Sequence, residues 1–457
     1  MRDKVLREIS CTPPPQQHCQ ISHDKDYVVV GSSAEGLLAH NFQQVGAAFP
    51  VFLHPETKDE YALARREVKT GDKHTDFAFD FSPDVTLEED AQRRDFTINA
   101  LYYDEASGEL LDPTGQGLQD CKDGVLRHTS QISAAGHNSD FKQDSQGRQS
   151  SDSRQDKNSF TEDPLRIVRC ARLAAQLGFS VAAETVALIK GMVRAGMLDH
   201  LSRERIDNEF MRALSPGYDS SRFLSYLHKW GALRELYPEL KRLCSCKENP
   251  RYHWAKTSWG HVLAALDSAR EQSAAVKTAV VYHDIYKPIA YARKKEAGFH
   301  FPHDNEQALA YLQKYLSMRK FDARTKKLCR LAVQYHMRFR LLHEGMHVAK
   351  WVDLIGAVSG GFRPDYHQQL IDILAVCRAD ETSDRPQDSF NGMCGNEHFN
   401  SIETCALQTF DVCSQIHARD LSNYAELRAG KDVDQLKREL RHARITAVKQ
   451  QVDFFAC

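Results

Sequence analysis

The sequence lacks the features of a membrane or secreted protein. Among its 457 residues, no apolar run approaches the roughly 20 residues that a membrane-spanning helix needs. The opening residues, MRDKVLREISCTPPPQQ, contain no apolar segment like that of a secretory signal peptide. We therefore expect a soluble protein with a cytoplasmic location and no membrane partner.

The sequence also lacks a cysteine framework and a large net charge. The 12 cysteines are scattered, and the close pair Cys244 and Cys246 lacks zinc-knuckle spacing, so we expect reduced packing thiols rather than disulfides. The net charge is −2, so RNA binding would need local positive charge. Two basic clusters offer it, although such clusters are more often solvated helix faces. They comprise Arg319, Lys320, Arg324, Lys326, Lys327 and Arg330, and Lys437, Arg438, Arg441, His442, Arg444 and Lys449.

The order of patterns along the chain predicts an α+β fold with two to four domains. Short β-branched runs at residues 27–31, 51–54 and 61–65 indicate a small mixed or antiparallel sheet. From about residue 160, apolar residues recur at the helical period, and helical patterns continue to the C-terminus. The first such set is Ile167, Cys170, Ala171, Ala174 and Leu177.

A polar segment separates these two parts. Residues 131–159 are rich in Ser, Gln, Asp and Lys and nearly free of aliphatic side chains. Such a composition cannot bury enough apolar surface to order itself. We expect a disordered insertion that loops out at modest entropic cost.

Two aspartates precede the first strand. In Asp24-Lys-Asp26, residues two apart on a strand point the same way, so the carboxylates would lie side by side. Adjacent carboxylates repel unless a cation lies between them, and magnesium prefers such oxygen ligands. Two magnesium ions can activate a 3′-hydroxyl and neutralise departing pyrophosphate. The alternative is a solvated turn before a strand.

Two further segments carry arginines beside carboxylates. The run RRDFTINAL, from Arg93, places two guanidiniums next to Asp95. Guanidiniums bind phosphate through bidentate hydrogen bonds. An Arg-Arg-Asp triplet is, however, also common as a surface charge cluster. In EDPLRIVR, Asp163 before Pro164 predicts a helix N-cap. Asp163 and Arg166 would be neighbours on the first turn, where a carboxylate and a guanidinium can pair with a base edge.

Several long segments resemble the class II CCA-adding enzymes, in the bacterial branch that carries an HD domain. These segments span residue 23 to about residue 290, apart from the polar insertion. They read HDKDYVVVG, QQVGAAFPVFLHPETKDEYALARREVKTG, PDVTLEEDAQRRDFTINAL, LLDPTGQGLQDCKDGVLRH, EDPLRIVRCARLAAQLGF, HLSRERI and, more weakly, VVYHDIYKP.

The resemblance implies a nucleotidyltransferase head with a small mixed sheet, followed by an all-helical neck, an HD-like body and a tail. We expect a head at 1–130, a disordered insertion at 131–160, a nucleotide-reading neck at 161–225, a body at 226–345 and a tRNA-binding tail at 346–457. The implied activity is template-independent addition of CCA to tRNA 3′ ends from CTP and ATP.

The resemblance also implies the roles of particular residues. Asp24 and Asp26 match the aspartates that hold catalytic Mg2+, and Glu67 matches a further carboxylate of that site. Asp163 and Arg166 match the pair that reads the base edge. The arginines that match contacts to the incoming nucleotide are Arg94, Arg166 and Arg169.

The body resembles an HD phosphohydrolase in the order of its histidines and aspartate. The set is His261, His283, Asp284 and His303, with His336 as a further candidate. Imidazoles with an aspartate suit a transition metal such as Ni2+, manganese or iron. The implied second activity is that of a phosphatase or 2′,3′-cyclic phosphodiesterase. Tyr286 replaces the glycine of the family's His-Asp-x-Gly-Lys motif and is expected to crowd that turn.

The head departs from the family at its start. The family has a Gly-Gly-x-x-Arg-Asp loop about ten residues before the first catalytic aspartate, and its glycines let the backbone approach the triphosphate. Here the segment reads SCTPPP, from Ser10 to Pro15. Four readings stay open: CCA addition, a CC-, A- or poly(A)-adding relative, a non-catalytic tRNA-binding remnant, and a protein whose only active chemistry is the HD phosphohydrolase.

Because the insertion is polar, we predict that it projects from the head–neck junction without entering the nucleotide site. Deleting residues 131–159 and joining the ends with a short Gly-Ser linker should leave nucleotide incorporation into tRNA within about twofold of the parent. Abolished incorporation in a deletion variant that remains folded would contradict this prediction.

Overall fold

The computed structural model describes most of the chain in ten segments. They are residues 4–8, 26–45, 51–69, 77–129, 159–248, 255–297, 303–342, 346–382, 395–430 and 432–452. The chain divides into two compact units, residues 1–201 and residues 202–457.

In its described part, unit 1 is built on a mixed seven-stranded sheet. The strands are β1 Lys4–Glu8, β2 Asp26–Val30, β3 Gln43–Val45, β4 Val51–Leu53, β5 Glu60–Leu63, β8 Tyr102–Asp104 and β9 Glu109–Leu111. Across the sheet the order is β3-β4-β5-β2-β1-β8-β9. Strands β2 and β5 run parallel, and the other neighbours are antiparallel.

The two faces of β2 pack against different layers, as the alternation of side chains along a strand requires. Val28 lies in a buried cluster with Ala64, Val85, Ala91, Ala100 and Tyr102. Val29 lies in another with Leu37, Phe52 and Leu63. A β-branched run that is buried on both faces forms a central strand, and this is the position of β2.

Smaller elements complete unit 1. A ribbon joins β6 Arg66–Lys69 and β7 Phe77–Asp80, and a short parallel pair joins β10 Val125–Leu126 and β11 Ser180–Val181. The helices are α1 Ala34–Ala39, α2 Leu87–Gln92, α3 Gly117–Asp123, α4 Ser159–Glu162, α5 Leu165–Leu177 and α6 Ala183–Arg194.

Local sequence explains the two helices that matter for the site. Helix α2 begins at a capping box, in which Thr86 and Glu89 each satisfy the other's backbone N–H. Helix α5 ends before Gly178, which has a φ of 73°. The predicted apolar face of α5 is confirmed, because its five residues are buried.

Unit 2 is helical in its described residues. Its helices are α7 Arg203–Ala213, α8 Ser220–Trp230, α9 Ala232–Leu236, α10 Pro238–Lys241, α11 Ser258–Ser268, α12 Ala274–Tyr282, α13 Lys287–Ala297, α14 Glu306–Leu316, α15 Ala323–Arg340, α16 Val348–Val358, α17 His367–Thr382, α18 Gly395–Ser414, α19 Tyr424–Ala429 and α20 Val433–Gln451. Within the described ranges, none combines the length and apolar character that crossing a bilayer requires.

These observations confirm the predicted α+β fold with a small mixed sheet and a long helical part. Nearly all of the expected insertion lies outside the described residues, and so do Pro13, Pro14 and Pro15. Among the described cysteines, seven are free thiols. The expectation of reduced cysteines is wrong for Cys121, which is disulfide-bonded.

Candidate functional site

Unit 1 places Asp26 at the start of the central strand β2. Asp26 is the first residue of β2 and is exposed. Since it is two residues from Val28, it points to the face that α2 and Tyr102 cover. Asp24 and the side chain of Glu67 lie outside the described residues, so their predicted roles stay predictions.

On that face, the buried carboxylate of Asp90 holds both arginines of the RRD segment. Arg93 donates to Asp90 Oδ1 from Nε at 3.0 Å and from Nη2 at 2.5 Å. Arg94 donates to Oδ2 from Nε and Nη2, both at 3.2 Å, and its Nη1 donates to the Asn99 carbonyl at 3.0 Å. Although burial opposes the charge, Arg94 and Arg93 lower the pKa of Asp90.

A second carboxylate, Asp95, binds helix α5, which carries the predicted nucleotide-binding arginines Arg166 and Arg169. Arg169 donates to Asp95 Oδ2 from Nε at 2.9 Å and from Nη2 at 2.7 Å. Asp95 Oδ1 accepts from the Asn99 amide and the Phe96 N–H. Arg169 therefore uses two N–H donors on Asp95. This contact fixes the rotation of α5 relative to residues 93–95.

The start of α5 differs slightly from expectation. The helix begins at Leu165, one residue later than predicted, and Asp163 Oδ1 accepts from the Leu165 N–H at 3.1 Å. Arg166 Nη2 donates to the Arg93 carbonyl at 2.6 Å. The structure thus brings Arg94, Arg166 and Arg169 to one segment of the head, whereas the role of Asp163 and Arg166 as base readers stays a prediction.

In unit 2, the four predicted metal ligands converge. His283 Nε2 lies 3.2 Å from His261 Nε2 and 3.1 Å from Asp284 Oδ2. His303 Nε2 lies 3.3 Å from Asp284 Oδ1. All four residues are buried. The order of these residues in the sequence therefore reflects proximity in space.

Two residues extend the cluster. His336 Nε2 lies 3.3 Å from His303 Nε2, which confirms the proximity of the further histidine candidate. Asp380 Oδ1 lies 2.9 Å from His261 Nε2. Asp380 was not predicted from the sequence. The available signal was a carboxylate in helical register with buried Ile373, Val376 and Cys377, since an acid on an apolar face needs a partner.

Hydrogen bonds at the far ring nitrogens orient these imidazoles. The Nδ1 atom of His283 lies 2.6 Å from the Val280 carbonyl, and that of His336 lies 2.8 Å from the Ala332 carbonyl. An Nδ1–H that donates to a carbonyl leaves Nε2 as the ligand atom. Asp284 raises the pKa of His283 to about 10 against the effect of burial, so a bound metal would displace a proton.

Distances define two overlapping ligand groups in the described residues. His261, His283 and Asp380 form one, and His283, Asp284 and His336 form the other, with ligand atoms within 4.8 Å of one another. Imidazole and carboxylate ligands fit a transition metal. Lys287 also enters the cluster, because its Nζ lies 2.7 Å from Asp284 Oδ2 and 3.1 Å from Glu248 Oε1.

Tyr286 does not crowd its turn as expected. Its ring is buried beside Tyr311, and its hydroxyl donates to Gln307 at 3.2 Å. Among the described non-glycine residues, positive φ occurs at Asn41, Lys58 and Phe362. A tyrosine is therefore accommodated here because the backbone at this turn does not need glycine.

The first basic cluster is not a uniform phosphate-binding surface. Arg319 is buried, and its Nη2 lies 2.6 Å from Glu239 Oε1. Arg324 pairs with Asp372 at 2.7 Å. In the second cluster, Arg444 is partly buried and donates to the Ile416 carbonyl. The exposed cations of these two clusters can therefore be distinguished from those that are buried or paired in structural contacts.

Residues 23–127 match the protein-family model described as "Poly A polymerase head domain". Residues 178–244 match the model described as "Probable RNA and SrmB- binding site of polymerase A". The Bacillus stearothermophilus CCA-adding enzyme, solved in complex with CTP, has a TM-score of 0.58 at 17% identity, over 100% of this chain and 91% of that chain. At this identity, the likeness shows the fold alone. The chain therefore shares the fold of that enzyme, and its first unit contains a segment similar to a poly A polymerase head domain.

Two curated relatives match nearly the whole chain. The multifunctional CCA protein of Nitrosococcus oceani is 35% identical over 434 residues, which cover 94% of each chain. That of Actinobacillus pleuropneumoniae is 34% identical over 93% of this chain and 94% of its own. This chain belongs to the multifunctional CCA protein family.

Proposed function

We propose that the chain adds C, C and A to the 3′ ends of tRNA from CTP and ATP without a nucleic-acid template. The observation that carries this proposal is the 35% identity to a curated multifunctional CCA protein over 94% of this chain. The arrangement of Asp26, Arg94 and α5 on unit 1 supports it, because these are the groups that nucleotidyl transfer needs.

In the proposed reaction, the tRNA 3′-hydroxyl attacks the α-phosphate of the nucleotide and pyrophosphate departs. Asp24 and Asp26 would hold Mg2+, which supplies charge for the hydroxyl and the leaving group. Arg94 would neutralise phosphate charge with its guanidinium cation. Asp163 and Arg166 would pair with the edge of the incoming base, and Arg169 would support them from its bond to Asp95.

We propose the five-part division of head, insertion, neck, body and tail for this chain, with tRNA along solvent-facing cations of the body and tail. Exposed Lys320 and half-buried Lys326 remain candidates, whereas buried Arg319 does not. When phosphates bind protein cations, counterions are released, so the affinity falls steeply as the salt concentration rises. The affinity for tRNA should therefore fall as ionic strength rises.

The first test measures incorporation of labelled CTP and ATP into tRNA that lacks its terminal CCA. Replacing Asp26 by Ala should lower kcat by on the order of 10²–10³, as expected for loss of transition-state electrostatic stabilisation. Glu56→Ala, in an exposed turn of the same unit, is the matched control and should retain parent activity.

The products distinguish the alternatives. Both nucleotides in the ratio of two C to one A support CCA addition. Incorporation of C alone, A alone or long A tracts indicates a relative of narrower output. A parent protein that binds tRNA without incorporation, and that Asp26→Ala leaves unchanged, would instead be a non-catalytic remnant.

A second candidate activity is hydrolysis of phosphomonoesters or 2′,3′-cyclic phosphates in unit 2. The observation that favours it is the convergence of His261, His283, Asp284, His303, His336 and Asp380. His261, His283 and Asp380 would hold a transition metal such as nickel, and His283, Asp284 and His336 offer an adjoining group. A bound metal supplies an activated water at neutral pH.

Charged residues of this cluster would also help to bind the phosphate of the substrate. Lys287 would balance phosphate charge beside the metal, and Glu248 would hold its ammonium in place through the 3.1 Å ion pair. The bonds from His283 and His336 to backbone carbonyls would keep both ligand atoms turned inward.

The second test measures metal per chain after purification and reloading with Ni2+ or Mn2+, by elemental analysis. The variant His283→Ala/Asp284→Ala should lose bound metal and cyclic-phosphate hydrolysis. Asp380→Asn should lower metal content as well. His442→Ala, on the exposed face of α20, should match the parent. A reloaded parent protein without metal would refute the proposed centre.

A further inference from the structure

The turn after His283 and Asp284 carries a residue that the chemistry proposed above does not use. Tyr286 stands where the family has glycine, and its side chain is buried. Its backbone is fixed, because the Tyr286 carbonyl accepts from the N–H groups of Ile289 and Ala290, both at 3.0 Å. A side chain that is anchored so close to two candidate ligands can position a neighbouring element.

Tyr286 joins this turn to helix α14. Its hydroxyl donates to Gln307 Oε1 at 3.2 Å, and its ring meets the ring of Tyr311 edge-on, with the ring centroids 5.6 Å apart. Because α14 begins at Glu306, Gln307 and Tyr311 lie on successive turns near its start. Tyr286 thus contacts the first two turns of α14 by a hydrogen bond and by packing.

The same end of α14 carries His303. This histidine lies two residues before Asn305, the N-cap residue, whose side chain accepts from the Ala308 N–H at 3.0 Å. The capped turn is therefore a defined structure, and His303 leads directly into it. Where the first turn of α14 lies decides where His303 lies.

His303 needs this support because its ring lacks the anchor that other rings of the cluster have. The Nδ1 atoms of His283 and His336 lie 2.6 and 2.8 Å from backbone carbonyls. In the part of the chain that the structure describes, His303 has no such bond, and it contacts His336 and Asp284 through Nε2, both at 3.3 Å. Metal-binding histidines are usually oriented by a bond at the second ring nitrogen. For His303, the orientation has to come from the segment that carries it.

The two oxygens of Asp284 show which half of the cluster depends on His303. Oδ2 lies 3.1 Å from His283 Nε2 and 3.6 Å from His261 Nε2. Oδ1 lies 3.3 Å from His303 Nε2 and 3.6 Å from His336 Nε2. His303 therefore completes the Oδ1 side, and a displaced His303 would leave a cation on that side with one imidazole fewer.

We propose that Tyr286 is a positioning residue that holds His303 against Asp284 Oδ1 and so tightens the binding of a divalent transition-metal ion. This inference rests on the proposed metal centre of unit 2. Tyr286 contacts neither the ion nor a substrate, and its effect passes through α14 to His303. Since a glycine has no side chain to reach α14, this contact belongs to this chain rather than to the family motif.

The test is the Ni2+ affinity of the full-length protein, stripped of metal and titrated in competition with a chelator of known affinity. Tyr286→Gly should weaken Ni2+ binding about tenfold, and Tyr286→Phe, which loses the hydroxyl alone, about threefold, because lost outer contacts of a metal site weaken affinity on this scale. Tyr311→Phe is the matched control, because it keeps the ring beside Tyr286 and loses a hydroxyl that accepts from Arg242. Its affinity should stay within about twofold of the parent.

A double-mutant cycle with His303→Ala separates positioning from general stability. His303→Ala should weaken Ni2+ binding, and adding Tyr286→Gly to it should have no further effect. An equal loss in both backgrounds would overturn the proposal, and so would parent affinity in His303→Ala. A Tyr286→Gly variant that melts at a lower temperature but keeps the parent affinity would also overturn it.

If Tyr286→Gly does not fold, Tyr286→Phe takes its place in the same cycle, because it removes a single hydroxyl. Its loss of affinity should disappear in the His303→Ala background, and a loss that persists there would refute the role of Tyr286. A parent protein that binds no Ni2+ refutes the proposed metal centre and this inference with it. A parent that binds Ni2+ with the same affinity as Tyr286→Gly refutes this inference alone.

Discussion

Buried carboxylates paired with arginines are the interaction on which the head depends. Asp90 holds Arg93 and Arg94, and Asp95 holds Arg169. Removing one partner of a fully buried pair costs about 3–5 kcal/mol, and the cost here is smaller because the arginines keep 13–34% of their side chains exposed. The contact between Asp95 and Arg169 joins residues 93–95 to helix α5. The positions of the guanidiniums follow from burial of their partners rather than from the exposed surface.

Unit 2 contains two buried polar clusters in which the charged and polar groups are paired differently. Around Arg319, cationic N–H groups meet the carboxylate of Glu239 and the cluster is structural. Around His283, Nε2 atoms face one another at 3.2 Å, and His303 and His336 repeat the arrangement at 3.3 Å. Facing lone pairs repel unless a proton or a cation lies between them. A proton on His283, whose pKa Asp284 raises to about 10 against the effect of burial, meets this requirement, and a bound cation would take its place.

Local patterns could be predicted from the sequence, and long-range pairing could not. The β-branched run before Gly31 predicted β2, and the spacing from Ile167 to Leu177 predicted α5, because burial imposes a period on each element. Strand β1 was missed, since its pairing with β2 and β8 depends on distant partners. Asp380 was missed for the same reason, because its place beside His261 depends on the packing of α17. Asp90 had a local signal in its distance of three and four residues from the arginines.

The two departures from the family pattern have different physical weight. Glycine is required where φ is positive or where a side chain would collide, as at Gly117, whose Cβ would lie 2.6 Å from the Thr97 carbonyl. The turn at Tyr286 has neither property, so the substitution is compatible with the contacts of His283 to His261 and Asp284. At the start of the chain, SCTPPP stands where the family has a Gly-Gly loop, and its three prolines lack the backbone N–H groups that a glycine loop offers to a triphosphate. The second departure therefore removes backbone donors, whereas the first changes a side chain only.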